Sequence, residues 1–147
     1  MTVRRAAAAD AARIAELSGV LGYPVAADNV RQRLERLLPR AEDVVFVATT
    51  SGGDVVGWIH AAEHELLETG RHAEILGLVV AADHRSQGAG RDLVEAAEQW
   101  ASSRGVEQMA VRSNVVRTES HPFYERLGYA RVKTQHAYGK RLSPAAT

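Results

Sequence analysis

"DHRSQGAGRDLVEAAEQW", residues Asp83 to Trp100, changes character in its middle. Its first half is a polar, glycine-spaced turn. From about Gly88 the pattern is helical, with Leu93, Ala96, Ala97 and Trp100 on one face. The run before it, "AEILGLVV" from Ala73 to Val80, is apolar and reads as a strand. Strand, turn and helix in that order make a seat for an anion. Glycines let backbone N–H groups converge without a Cβ in the way. The first turn of a helix adds unpaired donors and the positive end of its dipole. Such a seat suits a diphosphate, and Arg85 and Arg91 would add charge at its rim. Spacing alone equally allows a plain strand-to-helix connection with glycines for close packing. The Rossmann fingerprint and the Walker A motif both need residues that are missing here.

Working outward, "TVRRA" reads as an opening strand, and Asp10 as the N-cap of a helix carrying Ile14, Leu17 and Leu21. Asp28 reads as the cap of a second helix with Val30, Leu34 and Leu37 or Leu38, ended by Pro39. "EDVVFVATT" and "VVGWIHAA" are strands joined by the hairpin turn "SGGD". After the central helix, which Gly105 closes, come a strand at "QMAVRSN", a short helix at "HPFYERLGY" and a last strand near "ARVKTQHAYGKRL". The order is strand, two helices, three antiparallel strands, helix, strand, helix, strand. This predicts an α/β (α+β) fold in one domain over residues 1–147.

The totals fit that reading. A chain of 147 residues suits one domain with a real core. Zero formal net charge gives no ground to expect nucleic acid or an anionic membrane as partner. No window approaches the ~20 apolar residues of a membrane span, and the alanine-rich start lacks an apolar signal core. The expected location is the cytoplasm. With no cysteine there is no disulfide, thiolate metal site or cysteine nucleophile.

"LVVAADHRSQGAG" resembles the acetyl-CoA-binding core of the GCN5-related N-acetyltransferases (GNAT), whose pattern is Arg/Gln-x-x-Gly-x-Gly/Ala after a strand. "SHPFYERLGY" resembles that family's second signature, a short helix with Phe-Tyr followed by Gly-Tyr or Gly-Phe. Both stand at the family's usual separation, and the element order matches over nearly the whole chain. The resemblance implies a mixed, mostly antiparallel twisted sheet flanked by helices, with a bulged strand before the cofactor turn. It implies acetyl-CoA as cosubstrate, no metal, a small-molecule or peptide amine as acceptor, and it admits a homodimer. The coenzyme pyrophosphate would sit on the amides of Arg85, Ser86, Gln87, Gly88, Ala89 and Gly90, with Arg91 beside them. The pantetheine arm would pair with the backbone of Leu78, Val79 and Val80 like an added strand. Gly77 sits where the family strand is bulged, which would splay it from "QMAVRSN".

Acetyl transfer needs an amine freed of a proton, because an alkylammonium of pKa near ~10.4 cannot attack. It also needs a donor for the carbonyl oxygen and a proton for the departing thiolate. By the resemblance Tyr124 is the acid toward the thiolate, and otherwise a core tyrosine. Glu74 holds the place of a glutamate base acting through water in several relatives; as a bare sequence feature it reads equally as a solvated edge carboxylate. His72 shares its strand face and is the substitute. Asn114 would reach the pantetheine arm. Arg117 stands where many relatives carry an asparagine, and would contact coenzyme phosphates or an acidic group of the substrate. Ser113 and His121 complete the candidates.

"HAAEH", His60 to His64, matches an inverted zinc-protease pattern. That chemistry needs a helix, with the histidines about 6 Å apart along the axis. On a strand they lie about 13 Å apart, too far for one zinc. The acceptor would be shaped by "GVLGYPVAADN" and by the His- and Glu-rich "HAAEHELLETGRH", whose carboxylates would favour a cationic amine such as a polyamine, an aminoglycoside or a basic peptide end. An ordinary polar hairpin is the alternative there. For the whole chain the alternatives to an enzyme are a non-catalytic acyl-CoA-binding or regulatory module of the same fold, and an ATP- or NAD-binding domain.

Overall fold

The computed structural model describes residues 1–20, 22, 24–112 and 120–143, Ser120 through its backbone alone. Residues 1–112 and 113–147 form two compact units.

The first unit is a five-stranded sheet in the order β1-β2-β3-β4-β5. Strands β1 (Thr2–Arg5), β2 (Asp43–Thr49), β3 (Val55–Leu66) and β4 (Gly70–Val80) pair antiparallel in sequence, and β5 (Met109–Val111) joins β4 in parallel. Helices α1 (Ala11–Val20) and α2 (Ala27–Leu37) lie on one face. There Ile14, Leu17, Val30 and Leu34 form a core with Val45, Val47 and Val79, and Trp58 packs against it. Helix α3 (Ala89–Ser103) covers the other face with buried Leu93, Val94, Ala97 and Trp100. Strands buried on both faces explain the near-continuous apolar runs of the sequence.

Three details differ from the sequence pattern. Asp10 closes a 3-10 turn, Ala8–Asp10, instead of capping α1. Its buried carboxylate accepts the Ala7 N–H at 2.8 Å and both Arg4 terminal nitrogens at 2.9 Å, so Arg4 holds it below the ordinary carboxylate range. Ala26, not Asp28, stands at the N-cap of α2; Asp28 sits in the first turn and pairs with Arg31 at 3.0 Å. The third concerns the final strand.

The described part of the second unit is α4 (Ser120–Arg126) and the chain after it. Residues 130–143 hold no strand. A strand exists only by exchanging hydrogen bonds with a neighbour, and within this unit the described residues supply none.

Candidate active site

Strand β4 carries the first part of the site. Gly77 pairs with His60 and Ile75 with Ala61, which leaves Leu76 as an extra residue, a β-bulge one position before the glycine. β5 pairs with Ala73, Glu74 and Ile75 only, so among the described residues parallel pairing stops where the bulge begins. Beyond it Leu78, Val79 and Val80 pair on one side, with Ile59, Trp58 and Gly57. Gly77 has no room for a side chain, because a β-carbon there would lie 2.8 Å from Trp58 Cη2 and Cζ3. The Trp58 indole N–H is buried without a hydrogen-bond partner among the described residues.

From Val80 the chain enters a 3-10 turn, Ala82–His84, and an exposed stretch from Arg85 to Gly88. Gly88 caps α3 at φ 90°, a left-handed conformation in which a side chain is strained. Asp92 is the first residue of α3 to return its N–H, to the Gly88 carbonyl at 2.9 Å. The N–H groups of Gly88, Ala89, Gly90 and Arg91 therefore have no acceptor within the helix, at its positive end. Arg85 is exposed beside them, whereas Arg91 is engaged by Glu95 at 3.0 Å.

Glu74 is buried on the same sheet face as α1 and α2, opposite Ala62. His64 Nε2 lies 3.5 Å from one of its oxygens and Arg112 Nη1 3.6 Å from the other. The His72 ring is 5.7 Å from that of His64. The His64 ring on one side and the Arg112 guanidinium on the other bracket the carboxylate. Two residues before Ala62 on β3, His60 Nε2 meets Asp43 Oδ1 at 2.9 Å, and Arg40 holds the other Asp43 oxygen at 2.9 Å. Both histidines of "HAAEH" thus lie on a strand and take different carboxylates. No group of three His, Asp or Glu side chains among the described residues is placed to hold a metal.

Glu63 faces the other way. Arg71 grips it at 2.8 and 3.1 Å and Arg104, at the end of α3, at 2.7 Å. The hydrogen bonds from Arg71 and then Arg104 depress its pKa to about 2. The acidic hairpin is therefore divided: Glu63 ties the sheet to α3, and Glu74 is left to the opposite face.

In the second unit Tyr124 is half-buried in α4, its ring edge-on to Phe123 at 5.1 Å and to Tyr129 at 5.9 Å. Burial raises its pKa above the ordinary 10.0, so the phenol keeps its proton. The Tyr129 N–H closes onto the Tyr124 carbonyl at 3.0 Å. His121 lies at the start of the same helix. Ser113, Asn114 and Arg117 lie outside the described residues.

A bulged strand that feeds a glycine-capped helix is one signature. Residues 13–129 match the acetyltransferase (GNAT) family. It belongs to that family. The acetyltransferase is 28% identical over 149 residues to an aminoglycoside N(6')-acetyltransferase type 1 of Stenotrophomonas maltophilia, covering 99% of this chain and 96% of that one. Its fold matches aminoglycoside 6'-N-acetyltransferase AAC(6')-Ih of Acinetobacter baumannii with TM-score 0.84 at 18% identity, covering 97% of this chain and 99% of the other. It equally matches AAC(6')-Iy, solved with the bisubstrate analogue CoA-S-monomethyl-acetylneamine: TM-score 0.84, 20% identity, 95% of this chain and 97% of that one. Its enzyme class is that of the N-acetyltransferases, with acetyl-CoA as donor.

Sequence reasoning missed four groups around Glu74 and His60: Arg112, His64 as the partner of Glu74, and the Asp43–Arg40 pair. Asp43 alone left a signal. In the alternation Asp43, Val45, Val47 it is a charged residue at an inward position of a strand.

Proposed function

We propose that this acetyltransferase moves the acetyl group of acetyl-CoA directly to a primary amine of a cationic small molecule of the aminoglycoside kind, with Glu74 as base and Tyr124 as acid. The observation that carries the reading is one continuous strand. Three residues before Gly77 it holds a buried carboxylate, beyond the bulge it keeps an edge with no strand beside it among the described residues, and after Val80 the chain turns into α3 with four unreturned N–H groups. Those groups fit a diphosphate. On this reading the amides from Arg85 to Gly90 hold the coenzyme pyrophosphate with Arg85 and Arg91 at the rim, and Leu78, Val79 and Val80 pair with its pantetheine arm. Asn114 and Arg117 belong to the same proposed contact.

Glu74 takes a proton from the ammonium, directly or through one water. The Tyr124 phenol, kept protonated by burial, gives a proton to the departing thiolate. The acceptor class is supported by the full-length relative named for aminoglycoside N-acetylation and by the mixed His and carboxylate face around Glu74. A single domain over residues 1–147 is supported by a family match that runs through both compact units. Among the described residues no helix is long and apolar enough to cross a membrane.

The test measures release of free coenzyme A from acetyl-CoA with neamine, spermidine and a lysine-terminated peptide, together with calorimetry of coenzyme A, ATP and NAD. Saturable coenzyme A binding with turnover on neamine is expected. Binding without turnover on any amine would favour a non-catalytic acyl-CoA module, and tighter binding of ATP or NAD would remove the reading.

A further inference from the structure

Acetylating an ammonium removes two protons from one nitrogen, and Glu74 is a single carboxylate. We infer that His60, held by Asp43, is the second proton acceptor of the transfer. The inference rests on the function proposed above and adds a group to the same face.

Asp43 pairs with Ala62, and Ala62 pairs with Glu74, so one row across three strands reads Asp43, Ala62, Glu74. His60 and His64 stand two residues to either side of Ala62 and share its face. They are drawn apart, His64 to within 3.5 Å of Glu74 and His60 to within 2.9 Å of Asp43. On this face of β3 the small Ala62 stands between them. The His60 side chain is 21% exposed while that of Asp43 is 6% exposed, so a partly open imidazole is backed by a closed carboxylate.

The hydrogen-bond chemistry fixes which nitrogen is free. Asp43, ion-paired with Arg40, is a carboxylate and only accepts. His60 Nε2 therefore donates to it, and in the neutral ring Nδ1 carries the lone pair. An imidazolium formed by protonation at Nδ1 is stabilised by the carboxylate behind it, as when a carboxylate orients a catalytic histidine. The titratable and charged groups around it are Arg40 and Asp43 on one side and His64, His72, Glu74 and Arg112 on the other. Helices α1 and α2 bring Ile14, Leu17, Val30 and Leu34 to this face.

The steps balance. Glu74 takes the first proton from the ammonium and frees the nitrogen lone pair. That pair forms the N–C bond to the thioester carbonyl carbon, and the π pair moves to oxygen. His60 Nδ1 takes the second N–H proton. Collapse restores C=O and breaks C–S, leaving the pair on sulfur, which takes the Tyr124 proton. Two protons leave nitrogen and sulfur gains one; the other is released to water, and Glu74, His60 and the phenol each regain their starting protonation through solvent.

The experiment compares His60→Gln and His60→Ala with the parent, using acetyl-CoA and whichever of neamine, spermidine or the lysine-terminated peptide the parent turns over fastest. Glutamine keeps a donor for Asp43 and so preserves the fold, but cannot carry a proton. Both variants are expected to lose tenfold or more in kcat with KM for acetyl-CoA and circular dichroism unchanged, and added imidazole is expected to restore part of the alanine variant's turnover. A His60→Gln variant at parental kcat, in a protein whose Glu74→Gln variant is slow, overturns this inference and leaves the functional reading standing. A parent that acetylates none of the three amines overturns both.

Discussion

Gly77 lies beneath the indole of Trp58, so closely that a β-carbon would fall 2.8 Å from both Cη2 and Cζ3. The ring belongs to the core under α1 and α2, and the glycine follows the extra residue of the β4 bulge. Packing on one helix-covered face and the break in β5 pairing therefore meet at one residue.

Gly77→Ala should push Trp58 off its seat. Overpacking of this kind costs about 1–3 kcal/mol, and at this chain length the melting temperature should fall several degrees. The bulge should shift with it, so affinity for acetyl-CoA should drop as well. Thermal melts and calorimetry on the one variant check both; an unchanged melt would mean that Trp58 yields freely.

The Glu63 cluster predicts an acid-side effect. Arg71 and Arg104 hold its pKa at about 2 against an ordinary 4.5, so folding favours the ionised form. A depressed carboxylate contributes stability above its unfolded pKa and loses it as pH falls through the folded one. Glu63→Gln should lower the melting temperature at pH 7, by roughly 2–4 °C for each ~1 kcal/mol lost. The gap to the parent should shrink steadily between pH 4.5 and 2. A constant gap across that window would mean the arginines hold Glu63 no better than water does.

The elements around the turn were legible because each obeys a local rule. Leu93, Ala97 and Trp100 keep helical period, the β-branched runs announce β2 to β4, and the family resemblance puts the bulge at Gly77, within one residue of where it lies. The polar partners were not legible. Whether Glu63 or Glu74 faces α3 depends on register across the hairpin, and one residue of slip exchanges the faces. The Asp43–His60 contact joins residues 17 apart through strand pairing that no short window contains. Asp10 and Asp28 were misread as caps because both lie within a turn of the helix starts, where an acidic side chain also serves by pairing with arginine.

Gly88→Val tests the anion seat. At φ 90° a β-branched side chain is strained by roughly 1–2 kcal/mol, and relief of that strain turns the first α3 amides away from a common point. Affinity for acetyl-CoA should fall tenfold or more while far-UV circular dichroism keeps the helix. Adenosine without phosphates, which the seat does not read, should bind equally to both proteins. Loss of acetyl-CoA affinity by less than twofold would place the pyrophosphate elsewhere.

The proposed acid and base predict separable effects on turnover. Glu74→Gln removes the carboxylate yet keeps its shape between His64 and Arg112, so kcat should drop on the order of 10²-fold or more with little change in acetyl-CoA binding. Tyr124→Phe keeps the ring contacts with Phe123 and Tyr129 and loses only the hydroxyl. Because burial raises the Tyr124 pKa above 10.0, the parent should hold its kcat on the alkaline side until beyond that value, where the phenol ionises and can no longer donate. In Tyr124→Phe that limb should vanish, with kcat roughly tenfold lower throughout, since water must then protonate the thiolate. An acceptor amine of low pKa separates the two roles, because it is already free of its proton at neutral pH. With such an amine Glu74→Gln should recover much of its rate and Tyr124→Phe should not.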